Sequence, residues 1–249
     1  MEEYQLIENY NSVKARAAAA CERAGRKPEE VTIVAVSKTK PLLMIEELAA
    51  RGVRDFGENY VQELTAKADE LAEKMGAADP AASAADHPVN WHFIGHLQTN
   101  KVRQVITRAK MIHSVDSVHL AQAISKEAEK RGIENVDVLI EINIGKEVTK
   151  SGIPEEEAED LLRQIVTLPH LTVRGLMSIA PFVDDPEDNR PHFKRLEILR
   201  KRLQALDLPN APMMELSMGM TGDFEVAIEE GATLVRVGTA IFGARDYTI

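Results

Sequence analysis

The sequence predicts an α/β fold, a single (β/α)8 TIM barrel over residues 1–249 with one extra helix at its start. Three observations carry this expectation. Eight short runs are apolar and rich in β-branched residues, as parallel strands covered on both faces must be. Amphipathic helical patterns alternate with them. The alternation persists through a chain of 249 residues, and α/β barrels of about 250 residues commonly form one domain. An open doubly wound sheet is the competing architecture, but no Gly-x-Gly-x-x-Gly follows the first run.

The strand-like runs are Val31–Val36, Arg54–Gly57, Trp91–Gly95, Met111–Val115, Val136–Ile144, Thr172–Ile179, Met213–Ser217 and Leu234–Phe242. Between the first two, Pro41 opens a helical pattern that Gly52 closes. Val61, Leu64, Ala68, Leu71 and Met75 share one face of the next helix. A weaker helical pattern covers Gln98–Arg108. Ser117 can cap a helix bearing Leu120, Ile124 and Ala128. Pro154 starts another, with Leu161, Leu162 and Ile165 on its apolar side. Phe193, Leu196, Leu199, Leu203 and Leu206 mark the longest of these helices. Thr221 or Gly222 leads into a last one, with Phe224, Ala227 and Ile228, which Gly231 ends.

Only Gly-Ala-Arg-Asp-Tyr-Thr-Ile follows the eighth run, too short for a covering helix. The first helix, with Leu6, Tyr10, Val13, Ala17 and Cys21 on one face, has no strand before it. It is expected to cover the gap. The Ala/Asp/Pro-rich stretch Gly76–Pro88 breaks the rhythm and reads as a surface loop.

Composition narrows the function. A net charge of −10 argues against a broad nucleic-acid-binding face. Cys21 is the only cysteine, which excludes an intrachain disulfide and fits a reducing cytoplasm. No run approaches the ~18 apolar residues of a membrane span, and the acidic start lacks signal-peptide features.

Active sites of such barrels lie at the C-terminal ends of the strands. The residues there are Lys38, Glu58, Asn59, His96, Ser114, Asp116, Asn143, Met177, Ser178, Ser217 and Arg236. Lys38, directly after Val-Ala-Val-Ser, would project into the barrel mouth. A desolvated lysine, or one beside another cation, becomes a nucleophilic amine able to form a Schiff base. A solvated lysine that merely ends a strand is the alternative. After the seventh and eighth strands, Ser217, Gly219, Gly238 and Thr239 have the size and donors to bind a phosphate, as barrels often do there. Two ordinary Gly-containing turns would look the same. Arg236 sits in an apolar strand and needs a partner. That partner is either a neighbouring carboxylate or the pyridine nitrogen of a cofactor, which a guanidinium would leave unprotonated.

Other constellations are poorer. His92 and His96 are four apart without an acidic or Cys ligand in the same run, so hydrogen-bonded packing is expected and no metal. Glu58 and Asp116 could form a carboxylate pair or simply cap helices. Lys146 and Lys150 read as exposed-loop residues.

The segments Val34-Ala-Val-Ser-Lys-Thr-Lys-Pro41, Phe56-Gly-Glu-Asn-Tyr-Val-Gln-Glu63, Trp91-His-Phe-Ile-Gly-His-Leu-Gln-Thr-Asn-Lys101, Ile112-His-Ser-Val-Asp116, Gly175-Leu-Met-Ser-Ile179, Leu216-Ser-Met-Gly-Met220 and Arg236-Val-Gly-Thr-Ala-Ile-Phe-Gly243 occur in this order over nearly the whole chain. On them the chain resembles the pyridoxal phosphate homeostasis family (PLP-binding protein, YggS/PROSC). That family is itself similar to the barrel domain of alanine racemase, a fold-type III pyridoxal 5′-phosphate (PLP) protein. The resemblance implies that Lys38 carries PLP as an internal aldimine, that Ser217, Gly238 and Thr239 hold its phosphate, and that Arg236 faces the pyridine nitrogen. It also implies Asn59, Met177 and Ser178 as neighbours of the ring. Thr221 stands where many relatives have Ser, and the hydroxyl is retained.

Racemases need a second, β-rich domain and a tyrosine from a partner subunit as the opposite acid–base group. This sequence ends after its eighth strand, so two-base racemisation is expected to lack half its apparatus. The expectation is therefore a cytoplasmic, monomeric PLP-binding protein without catalytic residues. It would buffer PLP or deliver it to PLP-dependent apoenzymes, and so affect vitamin B6 and amino-acid balance. A monodomain PLP-dependent amino-acid racemase is the first alternative. A metal- or sugar-phosphate-dependent barrel hydrolase, which would be colourless, is the second.

Overall fold

β-Branched runs become strands when both of their faces are covered, and here a closed sheet and a helical layer supply the two covers. The structure is a computed structural model that describes residues 3–75, 88–145 and 151–244. The expected loop over Gly76–Pro88, apart from Pro88, and the expected exposure of Lys146 and Lys150 lie outside the described residues.

Eight parallel strands alternate with the helices: β1 (Thr32–Val36), β2 (Asp55–Glu58), β3 (Asn90–Phe93), β4 (Ala109–Val115), β5 (Val136–Ile142), β6 (Leu171–Ser178), β7 (Glu215–Met220) and β8 (Leu234–Val237). Each pairs with the next, and β8 returns to β1 in the register Thr32↔Leu234 to Ala35↔Val237. The sheet therefore closes into a barrel without an open edge. The fold is the (β/α)8 barrel that the alternation predicts.

The eighth run is shorter as a strand than its composition indicates. β8 stops at Val237, the backbone turns at Gly238 (φ −112°, ψ −78°), and a one-turn helix follows over Thr239–Phe242. An apolar run cannot distinguish a strand from a buried helical turn by periodicity alone.

The other helices are α1 (Glu3–Arg23), α2 (Leu42–Ala50), α3 (Val61–Lys74), α4 (Val102–Val105), α5 (Val118–Arg131), α6 (Ala158–Ile165), α7 (Arg190–Gln204) and α8 (Phe224–Glu229), with Thr239–Phe242 as α9. Pro41 precedes α2 as its extended N-cap (ψ 148°) and is not its first helical residue. Ser117 caps α5, its hydroxyl accepting from the Leu120 N–H at 3.3 Å. Of the weak Gln98–Arg108 pattern only a 3-10 turn at Thr99–Lys101 and α4 are helical. Met75, expected on the apolar face of α3, caps its end and is exposed.

α1 packs against α2, α8 and α9, on the flank where a helix after β8 would lie. Leu6, Val13, Ala17 and Cys21 are buried there. Asn9 Nδ2 donates to the Ile241 carbonyl at 3.1 Å. Arg26 Nη1 donates to the Ile228 and Ala232 carbonyls, both at 2.8 Å, satisfying groups at the end of α8. Arg16 pairs with Glu225 and lies 4.7 Å over the Phe224 ring.

Apolar side chains separate into two shells. The larger fills the space between strands and helices, with Phe56, Trp91, Phe93, Phe193 and Phe224 among its members. The smaller, Val34, Met111, Leu139, Met177 and Leu234, forms its own cluster inside the barrel. Strand side chains alternate with a period of two. His113, Glu141 and Arg236 therefore point to the same side as Met111, Leu139 and Leu234, one layer nearer the C-terminal mouth.

Leu6 is 1% exposed, so Leu6→Ala is expected to cost about 3 kcal/mol, read from urea unfolding, if α1 is part of the core. A loss too small to measure would make α1 a peripheral attachment.

Candidate cofactor site

A cavity of about 590 Å³ opens among the loops that follow β1, β2, β3, β6, β7 and β8. Lys38, Asn59, Arg236, Gly238 and Thr239 all line it. Met177, Ser178, Ser217 and Gly219 do not.

Lys38 reaches the cavity from a turn that is fixed on both sides. Ser37 is fully buried, and its hydroxyl donates to Glu58 Oε1 at 2.7 Å. Lys67, from α3, donates to the Ser37 carbonyl at 2.8 Å, to Glu58 Oε1 at 2.8 Å and to Glu63 Oε2 at 2.7 Å. The Thr39 N–H then donates to Glu63 Oε2 at 2.7 Å. Thr39 itself is left-handed (φ 62°), a conformation that surrounding contacts must enforce. A buried Lys–Glu cluster thus grips the residue before Lys38 and the residue after it. Burial raises the Glu58 carboxyl above its ordinary range, against the pull of Lys67 and Ser37. The carboxylate pair of Glu58 with Asp116 does not form: Glu58 points outward to α3, where Lys67 meets it. Lys67 carried no legible signal, since a lysine on an amphipathic helix normally marks the solvated face.

Arg236 forms part of the cavity floor and is 5% exposed. Its Nη1 donates to Ser217 Oγ at 2.6 Å and its Nη2 to the Ser178 carbonyl at 2.7 Å. Those bonds occupy two N–H groups of a guanidinium that carries five. Burial pulls its pKa down to about 10, while Glu141 and Asp223 act the other way, so it remains a cation at neutral pH.

Two small-residue turns form the opposite wall. Thr221 and Gly222 follow β7, and Gly238 and Thr239 follow β8; all four line the cavity. The Gly238 N–H donates to Thr221 Oγ1 at 3.3 Å, joining the turns. Among the described residues, the N–H groups of Thr221, Gly222 and Thr239 have no acceptor. Asp223 holds this wall in place, accepting from the Met220 N–H at 2.7 Å and from Asn189 Nδ2 at 2.8 Å. The same Asn189 amide donates to the Pro181 carbonyl at 2.9 Å, tying in the loop after β6.

Four sequence-level assignments shift position. Ser217 is wholly buried beneath Arg236 and does not line the cavity, whereas Thr221, four residues on, does. Gly219 (φ +87°) serves packing, because a Cβ there would lie 2.5 Å from Ala227 Cβ of α8. Met177 belongs to the interior apolar cluster, and Ser178 meets Arg236 through its carbonyl. The bulge between β7 and β8 explains why counting along β7 misleads: the register jumps between Ser217↔Leu234 and Met220↔Arg236. Of the two histidines four apart, His92 is buried inside the barrel and His96 is exposed away from the cavity.

Glu141 is 4% exposed and neighbours Arg236 and Asp116 electrostatically. Burial, then Asp116, raises its pKa to about 7, with Arg236 opposing. Among the described residues, no group of three His, Cys, Asp or Glu side chains could hold a metal ion. Nor is any described helix long and apolar enough to cross a membrane.

Residues 8–246 match the family model for the alanine racemase N-terminal domain. A protein of Aquifex aeolicus (strain VF5), named pyridoxal phosphate homeostasis protein, is 44% identical over 240 residues, covering 96% of this chain and 98% of that one. The chain belongs to the pyridoxal phosphate homeostasis family. Another protein of that name, from Pseudomonas aeruginosa, is 43% identical over 242 residues, covering 97% of this chain and 96% of its own. PipY of Synechococcus elongatus PCC7942, solved with PLP bound, superimposes with a TM-score of 0.79 at 33% identity, over 96% of this chain and all (100%) of PipY. Alanine racemase of Clostridium difficile 630 shares the fold alone, with a TM-score of 0.70 at 16% identity over 96% of this chain and 56% of the racemase.

Glu141 gives this family member a pH signature. Its folded-state pKa of about 7 lies above the ordinary 4.5, so the contribution to stability is complete below 4.5 and lost as pH rises through about 7. Wild-type stability should fall over that window by an amount on the order of 3 kcal/mol relative to Glu141→Gln, measured by urea unfolding. Parallel pH profiles for the two proteins would show that Glu141 titrates normally.

Proposed function

We propose that this protein binds pyridoxal 5′-phosphate in the cavity above Arg236, attaches it covalently through Lys38, and thereby takes part in intracellular PLP homeostasis. One observation carries the reading. An amine, a guanidinium with spare donors and a wall of unpaired backbone N–H groups line a single cavity. These match the three polar features of PLP: an aldehyde, a pyridine nitrogen and a phosphate. Bound PLP supplies an electrophilic carbon and an electron-withdrawing ring.

The chain's own residues divide the work. Lys38 is the attachment point, held by its clamped turn. Thr221, Gly222, Gly238 and Thr239 bind the phosphate through hydroxyl and backbone N–H groups. Arg236 faces the pyridine nitrogen as a donor that does not readily give up its proton, which weakens the ring as an electron sink. Asn59 flanks the ring, and its backbone is approached so closely by Gly95 that a Cβ there would overlap the Asn59 carbonyl.

A carrier role is favoured over turnover. Two-base chemistry at an amino-acid Cα needs an acid–base group opposite the lysine. No tyrosine, histidine or cysteine lines the described cavity; of its two aspartates, Asp223 has both oxygens committed to the wall, and Asp184 lies exposed on the loop after β6. We read the protein as a single-domain cytoplasmic monomer that supplies PLP-dependent apoenzymes, in keeping with its one buried cysteine.

Purified wild type incubated with PLP should absorb in the visible and, after borohydride, retain the label on the peptide containing Lys38. Lys38→Ala should lose the reducible adduct entirely. An adduct persisting in Lys38→Ala would overturn the assignment, and Lys38-dependent deuterium exchange at Cα across an amino-acid panel would favour a racemase.

A further inference from the structure

Ser217 and both buried histidines are left without a task by the cavity, yet they are bonded in series beneath it. Arg236 Nη1 lies 2.6 Å from Ser217 Oγ, and Ser217 Oγ lies 2.9 Å from His113 Nδ1. His113 Nε2 lies 2.9 Å from His92 Nδ1, with the two rings edge-on at 83°. His92 Nε2 then lies 3.1 Å from Asp55 Oδ1. Ser217 and His113 are fully buried and His92 is 2% exposed. The series crosses the barrel interior from β8 through β7, β4 and β3 to the start of β2, at the end remote from Lys38.

With both imidazoles neutral, the carboxylate at one end sets the direction of every bond in the series. A guanidinium only donates, so Ser217 Oγ accepts from Arg236, and its own proton is available to His113 Nδ1. At the far end burial pushes the Asp55 carboxyl up, and the hydrogen bonds it accepts from His92 and Asn90 bring it below its usual carboxylate range. An ionised carboxylate only accepts, so His92 Nε2 must carry a proton. A neutral His92 then accepts at Nδ1, and His113 must donate from Nε2. With Nδ1 of His113 left as an acceptor, Ser217 donates to it, which agrees with Ser217 accepting from Arg236. Burial, then His92 and Arg236, pulls the His113 pKa well below its ordinary value, which keeps that ring neutral.

We propose that Asp55, His92, His113 and Ser217 are positioning residues for Arg236, forming a one-directional hydrogen-bond chain with both imidazoles in the neutral Nε2–H form. The chain orients the guanidinium and links its charge to the Asp55 carboxylate across the barrel. Its effect on the cofactor rests on the PLP reading above; the tautomers do not.

The first measurement is the long-range 1H–15N spectrum of the wild-type protein without PLP, labelled at histidine, at neutral pH. His92 and His113 should both show Nε2–H with unprotonated Nδ1. A protonated Nδ1 on either ring overturns the chain. The second measurement is PLP affinity and the visible absorption of the bound cofactor in Ser217→Ala, Asp55→Asn and the control Asp137→Asn. Asp137 is a carboxylate at the same end of the barrel, near Arg174 and outside the series. Ser217→Ala should weaken PLP binding about tenfold, as expected for losing a hydrogen bond to a charged group. Asp55→Asn should change affinity in the same direction and shift the absorption, and Asp137→Asn should match wild type. Wild-type behaviour of Asp55→Asn overturns the chain even if Ser217→Ala responds, because Ser217 would then hold Arg236 alone. If wild type takes up no PLP, the functional reading fails, and the histidine spectra still decide the chain.

Discussion

A guanidinium inside a closed β-barrel has to be satisfied without bulk water, and much of this protein's interior follows from that requirement. Arg236 comes from β8 with its side chain directed inward, one layer above Leu234. Two of its N–H groups are taken by Ser217 and the Ser178 carbonyl, which leaves others for the cavity. Beneath it, polar side chains replace the aliphatic layers usual in such barrels, while Val34, Met111, Leu139, Met177 and Leu234 fill the remaining volume. Each buried polar group would be costly unpaired, so the polar column works only as a connected set.

The same logic operates outside the barrel wall around Lys38. The reactive position is set by its neighbours, since Ser37 and Thr39 are anchored to a Lys67–Glu58–Glu63 cluster contributed by β2 and α3. Breaking such a buried pair by removing one partner typically costs 3–5 kcal/mol, through the uncompensated charge left behind. Anchoring the residues on both sides of Lys38 fixes the backbone from which its side chain departs. Rigid strands thus supply an amine and a cation, and two short turns supply a wall of backbone N–H groups. Their convergence is a property of the mouth of the barrel.

The chain belongs to the pyridoxal phosphate homeostasis family and shares its fold with alanine racemase. Attachment and catalysis ask different things of a PLP site. Attachment needs an amine, a phosphate wall and a ring contact. Turnover at Cα further needs an opposing proton donor and a ring able to accept electrons. The described cavity is well provided with the first set. In the proposed site, a guanidinium at the ring nitrogen would work against the second.

By itself, the sequence determined the barrel and the strand ends that form its mouth, because alternating apolar periodicities are local and survive in one dimension. Lys38, Asn59, Arg236, Gly238 and Thr239 were legible as mouth residues for that reason. Strand boundaries were less so: β8 is four residues long, and the rest of its apolar run turns into α9. Only the tertiary structure decided which residues on β7 face the cavity. A bulge against β8 moves Ser217 under Arg236 and brings Thr221 to the wall, and no local pattern encodes that shift. It also decided the meaning of Lys67, His92, His113 and Asp55. The His92–His113 and His113–Ser217 hydrogen bonds span 21 and 104 positions in sequence, and they exist only after closure of the sheet brings distant strands within hydrogen-bonding reach.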